Sequence, residues 1–172
     1  MGKKKKISIG PIEWLFILLS VAGFVFAIIG IFIPWIGGSV SSDLAGASRS
    51  VDGSALFSDE LSLLAEADGV FPIGVVRAFA IIAVVLAAVS AVGVFVKALG
   101  VVRIKGLFPF LVAAATIVIG VLVAVFSYSY AGSLGGVDGG DIIQISYFPI
   151  VGMYFCAVGT IVSGVMMLLK RG

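Results

Sequence analysis

The chain has 172 residues, of which 61% are hydrophobic and only 12% are charged. A soluble domain of this length is nearer half apolar and a quarter charged, so the composition excludes an ordinary soluble fold. The net charge of +2 is small and hides a strong asymmetry between segments, so it predicts no nucleic-acid partner.

The apolar residues fall into four blocks, each long enough to cross a hydrocarbon core of ~30 Å as a helix. Lipid cannot satisfy backbone polar groups, and the alternation of a barrel strand is absent. The sequence therefore predicts an all-α membrane protein, a four-helix transmembrane bundle. Its spans are expected at 12–34, 72–96, 107–130 and 147–169. The first block is long for a signal peptide, so we expect it to be retained.

The basic residues lie on one side of these spans. The N-terminus (1–11), the 97–106 loop and the C-terminus (170–172) carry four, three and two cations, nine of the eleven in the chain. The positive-inside rule then places both termini in the cytoplasm of a multi-pass cell-membrane protein. We interpret the N-terminal lysine run as a topology signal, with contact to anionic membrane lipids as the alternative.

The loops on the other side are acidic and unequal in length. The short loop at 131–146 is rich in glycine, whereas the loop at 35–71 is long enough to hold structure. Within it, Asp52-Gly53 is typical of a hairpin turn and predicts a pair of short strands. The stretch "SDELSLLAEA" then predicts a short helix that is capped by Ser58 and ends at Gly69.

Small residues recur at i, i+4 spacing in every span, which lets helix backbones approach closely in lipid. We interpret them as packing positions within one bundle, with oligomerisation as the alternative. They are Gly23 and Ala27, then Ala83, Ala87 and Ala91, then Gly120 and Ala124, and finally Gly159 and Ser163. Aromatic residues near the span ends predict interfacial anchors at Trp14, Trp35 and Tyr147.

Side chains suited to catalysis are scarce. The chain has no histidine, and its single cysteine, Cys156, lies in an apolar span. A proton- or cation-coupled transporter usually keeps an ionisable group near the membrane midplane, and no carboxylate lies there. Asp138 and Asp141 resemble a calcium loop only loosely. We therefore expect no catalytic residue, no bound metal and no cofactor, and we do not expect an enzyme.

Arg77 is a cation within the second span. Its side chain leans toward the helix N-terminus, which is the outer end of this span, so the guanidinium can reach the outer surface. There it needs hydrogen-bond acceptors. The sequence predicts a structural clamp between this span and an outer-loop carbonyl or carboxylate, with a partner contact as the alternative. The candidate carboxylates are Glu66 and Asp68 in the first loop and Asp138 and Asp141 in the second.

Three stretches carry a resemblance to a known family. "IPWIGG", "VVRAFAIIAVVL" and "YFPIVGMYFCAVGTIVSG" resemble the end of the first span, the start of the second and the fourth span of claudin-like tetraspans, which include claudins, peripheral myelin proteins and channel auxiliary subunits. The resemblance implies four spans, cytoplasmic ends, a small outer sheet and an arginine at Arg77. The outer-loop signature of that family, with its tryptophans and two cysteines, is absent, so the resemblance indicates a distant, prokaryotic-type relative.

These observations favour a non-enzymatic tetraspan that serves as a structural, adhesion or auxiliary subunit. Its expected partners are membrane lipids and either another membrane protein or further copies of the chain. A small transporter or channel component is the alternative. It would need a polar lumen, for which the candidates are Ser90, Thr116, Thr160 and Ser163.

The orientation can be tested with cysteines introduced at Ser48 and Ser133. In intact cells, both should react with a membrane-impermeant thiol reagent, because the charge asymmetry places the 35–71 and 131–146 loops outside. A cysteine in the N-terminal lysine run is the control and should stay unlabelled. Labelling of that control instead would reverse the orientation.

Overall fold

A computed structural model describes residues 10–42, 47–57, 72–100, 107–134 and 143–170. It contains four long helices, which are α1 (Pro11–Phe32), α2 (Ile73–Ala98), α3 (Phe108–Leu134) and α4 (Val151–Leu169). All four are long and apolar enough to cross a membrane, so the chain is a multi-pass membrane protein. The predicted four-helix bundle is confirmed.

Three strands form one small antiparallel sheet, with β1 (Pro34–Ser42) between β2 (Ala47–Ala55) and β3 (Ile143–Pro149). We call the end of the bundle that carries this sheet the sheet end, and the end where α1 begins and α4 finishes the terminal end. The prediction that the first loop contains short strands is confirmed. The short helix predicted at 58–69 lies outside the described residues.

Helices α1 and α4 approach so closely that only glycine fits at several positions. A Cβ atom added at Gly30 would lie 2.5 Å from the backbone nitrogen of Cys156 and 2.7 Å from the carbonyl oxygen of Gly152. One added at Gly23 would lie 2.6 Å from the carbonyl oxygen of Gly159. Because backbone atoms cannot rotate away as a side chain can, these glycines set the helix separation.

Helix α4 is the centre of the bundle. It buries 50% of its most apolar stretch, against 28–33% for the other three helices. Another face of α4, which carries Gly164, packs against α3. A Cβ atom added at Gly164 would lie 3.0 Å from the carbonyl oxygen of Ala113. On α3, a Cβ atom at Gly120 would lie 3.0 Å from the carbonyl oxygen of Ala157. Small residues on two faces thus let α4 pack closely against α1 and α3.

The remaining small residues lie inside the bundle as well. The alanine stripe of α2 is buried, with Ala83 and Ala87 at 0% exposure and Ala91 at 6%. On α1, Ala27 is at 0% exposure, and on α4 Ser163 is also at 0%. Ala124 on α3 is only half-buried. All of these positions except Ala124 are therefore buried against neighbouring helices.

The strand pair β1 and β3 continues the close contact of α1 and α4. Strand β1 follows α1 and β3 precedes α4, and the ladder runs from Ile36 opposite Pro149 to Ser42 opposite Ile143. The Ile150 N–H adds a 2.8 Å bond to the Trp35 carbonyl. The expectation that the fourth span begins at residue 147 is therefore wrong. Residues 147–149 pair with the edge of β1 that β2 does not occupy, so they belong to β3 instead of extending the helix.

Strand β2 crosses the position predicted to be a turn. Asp52 and Gly53 lie within the strand, between the pairs Ile36–Ser54 and Gly38–Val51, so two residues oppose Gly37. A bulge tolerates glycine as readily as a hairpin turn does, which is why the same dipeptide fits here. The hairpin prediction at Asp52-Gly53 is therefore wrong.

Polar side chains tie three helices together at the terminal end. Lys170, which follows α4, donates to Glu13 of α1 at 2.8 Å, and the second carboxylate oxygen of Glu13 accepts from the Gly10 N–H at 3.1 Å. Lys97 of α2 donates to the Lys170 carbonyl. These contacts join the start of α1 to the ends of α2 and α4, where the cations also suit the negative ends of the helix dipoles.

The glycine contact predicts a large effect for Gly30→Ala. The added methyl group would push α1 from α4 and should lower the free energy of unfolding by ~1–3 kcal/mol, the usual cost of overpacking. Gly132→Ala is the control. It also lies two residues before a helix end, but nothing lies within 4 Å of its Cβ position. It should be neutral or stabilise by up to ~1 kcal/mol. Denaturant unfolding in detergent micelles measures both, and equal effects would contradict the role of Gly30.

Candidate functional site at the sheet end of the bundle

Arg77 fastens the end of β2 to α2. It lies one turn into α2, is half-buried, and donates from Nε to the Leu56 carbonyl at 2.9 Å. Its guanidinium carbon also lies 5.7 Å from the centre of the Phe57 ring, within the range of a cation–π contact. Because side chains lean toward the helix N-terminus, this reach toward the sheet follows from the position of Arg77 in the helix.

The residue whose carbonyl accepts this bond is anchored a second time. The Leu56 side chain is 1% exposed and joins a buried cluster with Ile36, Ile73 and Val76. The main chain at this point is thus held by a charge-assisted hydrogen bond and by apolar burial together. Hydrogen bonds to charged groups typically contribute ~1.5–3 kcal/mol, so both contacts bear on the position of β2.

Trp35 is a core residue, which corrects its prediction as an interfacial anchor. Its ring is fully buried, and Nε1 donates to the Gly30 carbonyl near the end of α1. The register of β1 shifts between Pro34 and Ile36, which lets both Trp35 and its neighbour Ile36 point into the core. Regular alternation would have exposed one of the two.

Tyr130 is a buried member of this site that sequence reasoning missed. It lies near the sheet end of α3 at 0% exposure, within electrostatic range of Arg77 and Tyr147. A signal for it was present, because Val123, Ser127 and Tyr130 recur at helical spacing on one face of the span. All three are buried.

The structure describes only some of the residues that were predicted to form this site. Arg77 lies at the junction of the sheet and the bundle, and one of its acceptors is a first-loop carbonyl, as the clamp hypothesis allowed. The four candidate carboxylates lie outside the described residues, namely Glu66, Asp68, Asp138 and Asp141. The clamp with a carboxylate therefore stays a prediction.

Aromatic anchors occur where the sequence did not place them. Tyr128 of α3 and Tyr154 of α4 are about half exposed on the outside of the bundle near the sheet end, and their hydroxyl groups are hydrogen-bonded to each other. Pairing satisfies part of their hydrogen-bonding capacity, and tyrosines at this level suit a membrane interface. Trp14 is 50% exposed near the terminal end, whereas Tyr147 is half-buried in β3.

A belt of buried hydroxyl groups crosses the bundle nearer the terminal end. Ser90 and Thr116 are hydrogen-bonded to each other at 2.9 Å, which links α2 to α3. Ser163 donates to the Ser20 carbonyl at 3.0 Å, which links α4 to α1. Thr160 bonds within its own helix, to the Cys156 carbonyl at 2.7 Å. Three of the four lumen candidates thus donate to helix carbonyls, since Thr116 also donates to Val112 at 2.7 Å.

The described core contains hydroxyl groups but no buried ionised side chain. Among the described residues, no group of three His, Cys, Asp or Glu side chains could hold a metal ion. Ser20 is the one hydroxyl in this part of the chain whose oxygen is buried without a hydrogen-bond partner. The chemistry of the described interior is therefore that of helix packing.

Comparison with protein-family models and with curated proteins finds no match for this chain. The resemblance to claudin-like tetraspans, including the placement of their arginine at Arg77, stays a prediction.

The Arg77 contact predicts local loosening of β2 in Arg77→Leu. Loss of the hydrogen bond should raise the rate of trypsin cleavage at Arg49 about tenfold. A half-exposed hydrogen bond to a charged group contributes roughly the free energy that corresponds to a tenfold change in an equilibrium constant. Removal of a charge from an apolar span should leave membrane insertion intact. Arg77→Lys should be intermediate, since lysine lacks the planar fork of donors.

Lys97→Leu is the matched control, since it removes a cation from the other end of the same helix. It should leave the cleavage rate at Arg49 unchanged. If trypsin cleaves Arg77→Leu and the unaltered chain at Arg49 at the same rate, the clamp hypothesis is wrong.

Proposed function

We propose that the chain is a non-enzymatic membrane subunit that presents its small sheet to another membrane protein or to further copies of itself. The proposal rests on two exposed aromatic side chains at a sheet that is firmly attached to the bundle. Phe57, directly after β2, is 46% exposed, and Phe148, within β3, is 44% exposed. Exposed aromatic side chains on a fixed scaffold are typical anchors of protein interfaces.

The attachment of the sheet supports a binding role because a rigid surface loses little entropy when a partner docks. Trp35 and Leu56 bury the root of the sheet in the bundle, and Arg77 holds the end of β2. Phe148 packs over the backbone of β1, where a Cβ atom at Gly37 would lie 3.5 Å from its ring. Both phenylalanines are therefore held in place by neighbouring elements.

The sheet also offers main-chain groups for pairing. In the strand order β2-β1-β3, the two outer strands are edges, and no further strand among the described residues pairs with them. Edge strands can add a strand from another chain, which gives affinity through backbone hydrogen bonds. A structural, adhesion or auxiliary role would use this surface.

A small transporter or channel component is the second candidate. A belt of buried hydroxyl groups favours it, because its members lie at a similar depth and come from all four helices, namely Ser20, Ser90, Thr116, Thr160 and Ser163. Except for Ser20, their donors are occupied by helix carbonyls and by the Ser90–Thr116 pair, which supports the packing role more strongly.

Native mass spectrometry of the detergent-extracted protein tests the proposal. We expect a partner or a homo-oligomer to be retained, and Phe57→Ala to lower the retained fraction about tenfold, since interface aromatics commonly contribute more than 1 kcal/mol. Phe108→Ala is the matched control, because Phe108 is 65% exposed at the terminal end. It should leave association unchanged.

Two results would contradict the proposal. One is a strictly monomeric protein that conducts ions in planar bilayers, with a current altered by Thr116→Val, which would favour the transporter. The other is equal association in the Phe57→Ala and Phe108→Ala variants, which would place any interface away from the sheet.

A further inference from the structure

An apolar groove opens on the outside of the bundle between α1 and α2. Its volume is about 330 Å³. All of its lining side chains are apolar, and they are Val21, Phe24, Ala88, Ala91, Val92 and Phe95. Val92 is 61% exposed and Phe95 is 44% exposed, so the groove faces the hydrocarbon of the membrane. In a bilayer such a space is filled by lipid or by another protein.

The groove is too small to hold the body of a transmembrane helix. A helix with side chains is about 10 Å across, so a 10 Å length of it occupies roughly 800 Å³. This is more than twice the volume of the groove. A flexible hydrocarbon chain or a single inserted side chain is the largest group that fits.

The depth of the groove assigns it to one leaflet. Phe95 lies three residues and Ala88 ten residues before Ala98, the last residue of α2, which corresponds to about 5 and 15 Å from the terminal end. One leaflet of hydrocarbon is about 15 Å thick. On α1, Val21 and Phe24 lie ten and thirteen residues after Pro11, about 15 and 20 Å from the same end. The groove therefore runs through the acyl-chain region of the leaflet at the terminal end and reaches the middle of the membrane.

Charge identifies the kind of lipid. Nine of the eleven cations in the sequence belong to the segments that adjoin the terminal end. Lys97 and Lys170 of the described part lie there, at the ends of α2 and α4. Basic residues beside a membrane attract anionic headgroups. We propose that the groove holds one acyl chain of an anionic phospholipid from the leaflet at the terminal end, with its headgroup beside this basic end.

A tryptophan is placed to report such binding. Trp14 lies seven residues before Val21, on the same face of α1, and is 50% exposed. The other tryptophan of the chain, Trp35, is fully buried at the sheet end. Quenching of tryptophan fluorescence by a brominated lipid chain at the terminal end therefore reports on Trp14.

The first experiment uses the unaltered full chain in vesicles that mix phosphatidylcholine with a minor fraction of phosphatidylglycerol. Bromine is placed on the acyl chains of one lipid at a time. We expect brominated phosphatidylglycerol to quench Trp14 well beyond its share of the lipid. Quenching in proportion to mole fraction for both lipids would overturn the proposal.

The second experiment fills the groove with Ala88→Leu, and Ala115→Leu is the matched control. Ala88 is half-buried in the groove, whereas Ala115 is exposed on α3 away from it. By native mass spectrometry, the retention of phosphatidylglycerol after delipidation should fall about tenfold in Ala88→Leu and stay unchanged in Ala115→Leu. Equal retention in both variants would show that the groove is not the lipid site. A dimer that is lost only in Ala88→Leu would make a side chain of a second copy the occupant and overturn the proposal.

Discussion

The structure depends on the close approach of α1 and α4. Glycines at a helix contact usually serve only to pack helices, but here the two glycines on each side have a consequence beyond the membrane. Because α1 continues into β1 and α4 is preceded by β3, the helix separation set at Gly30 and Gly152 also sets the distance between two strands. The strands then pair in register from Ile36 and Pro149 outward. The close helix packing that small residues allow in the membrane thus determines the position of the sheet beyond it.

Attachment of the sheet requires breaks in its regularity. A strand exposes alternate residues, yet the first residues of β1 must cover the end of the bundle. The register shift beside Trp35 solves this, because it lets two successive side chains face inward, and the Trp35 indole then donates to the last turn of α1. The second irregularity, at Asp52 and Gly53, bends β2 so that its end meets α2 at Leu56. Both bulges lie where the sheet joins the helices.

The sequence was sufficient for the spans, because an apolar run of membrane length has few alternative structures. It was also sufficient for the direction in which Arg77 reaches, which follows from helix geometry alone. It was insufficient for β3, since 143–146 was expected in the short outer loop and 147–149 at the beginning of the next span, and only the neighbouring strand edge shows that they form one strand. The burial of Trp35 was equally hidden. A tryptophan after the end of a span resembles an interfacial anchor, and only the register of β1 distinguishes the two roles.

Helix α2 is joined to the bundle by other contacts than the remaining three helices are, and both Arg77 and the apolar groove involve this helix. Helices α1, α3 and α4 meet through glycines whose neighbours are backbone atoms. On α2, a Cβ atom at Gly93 would meet only the flexible end of Met167. This helix is joined to the rest by side chains, through Ser90 to α3, Lys97 to the end of α4 and Arg77 to β2. The groove therefore lies between α1 and a helix whose glycines make no close contact with a neighbouring backbone, and polar contacts hold this helix near both ends.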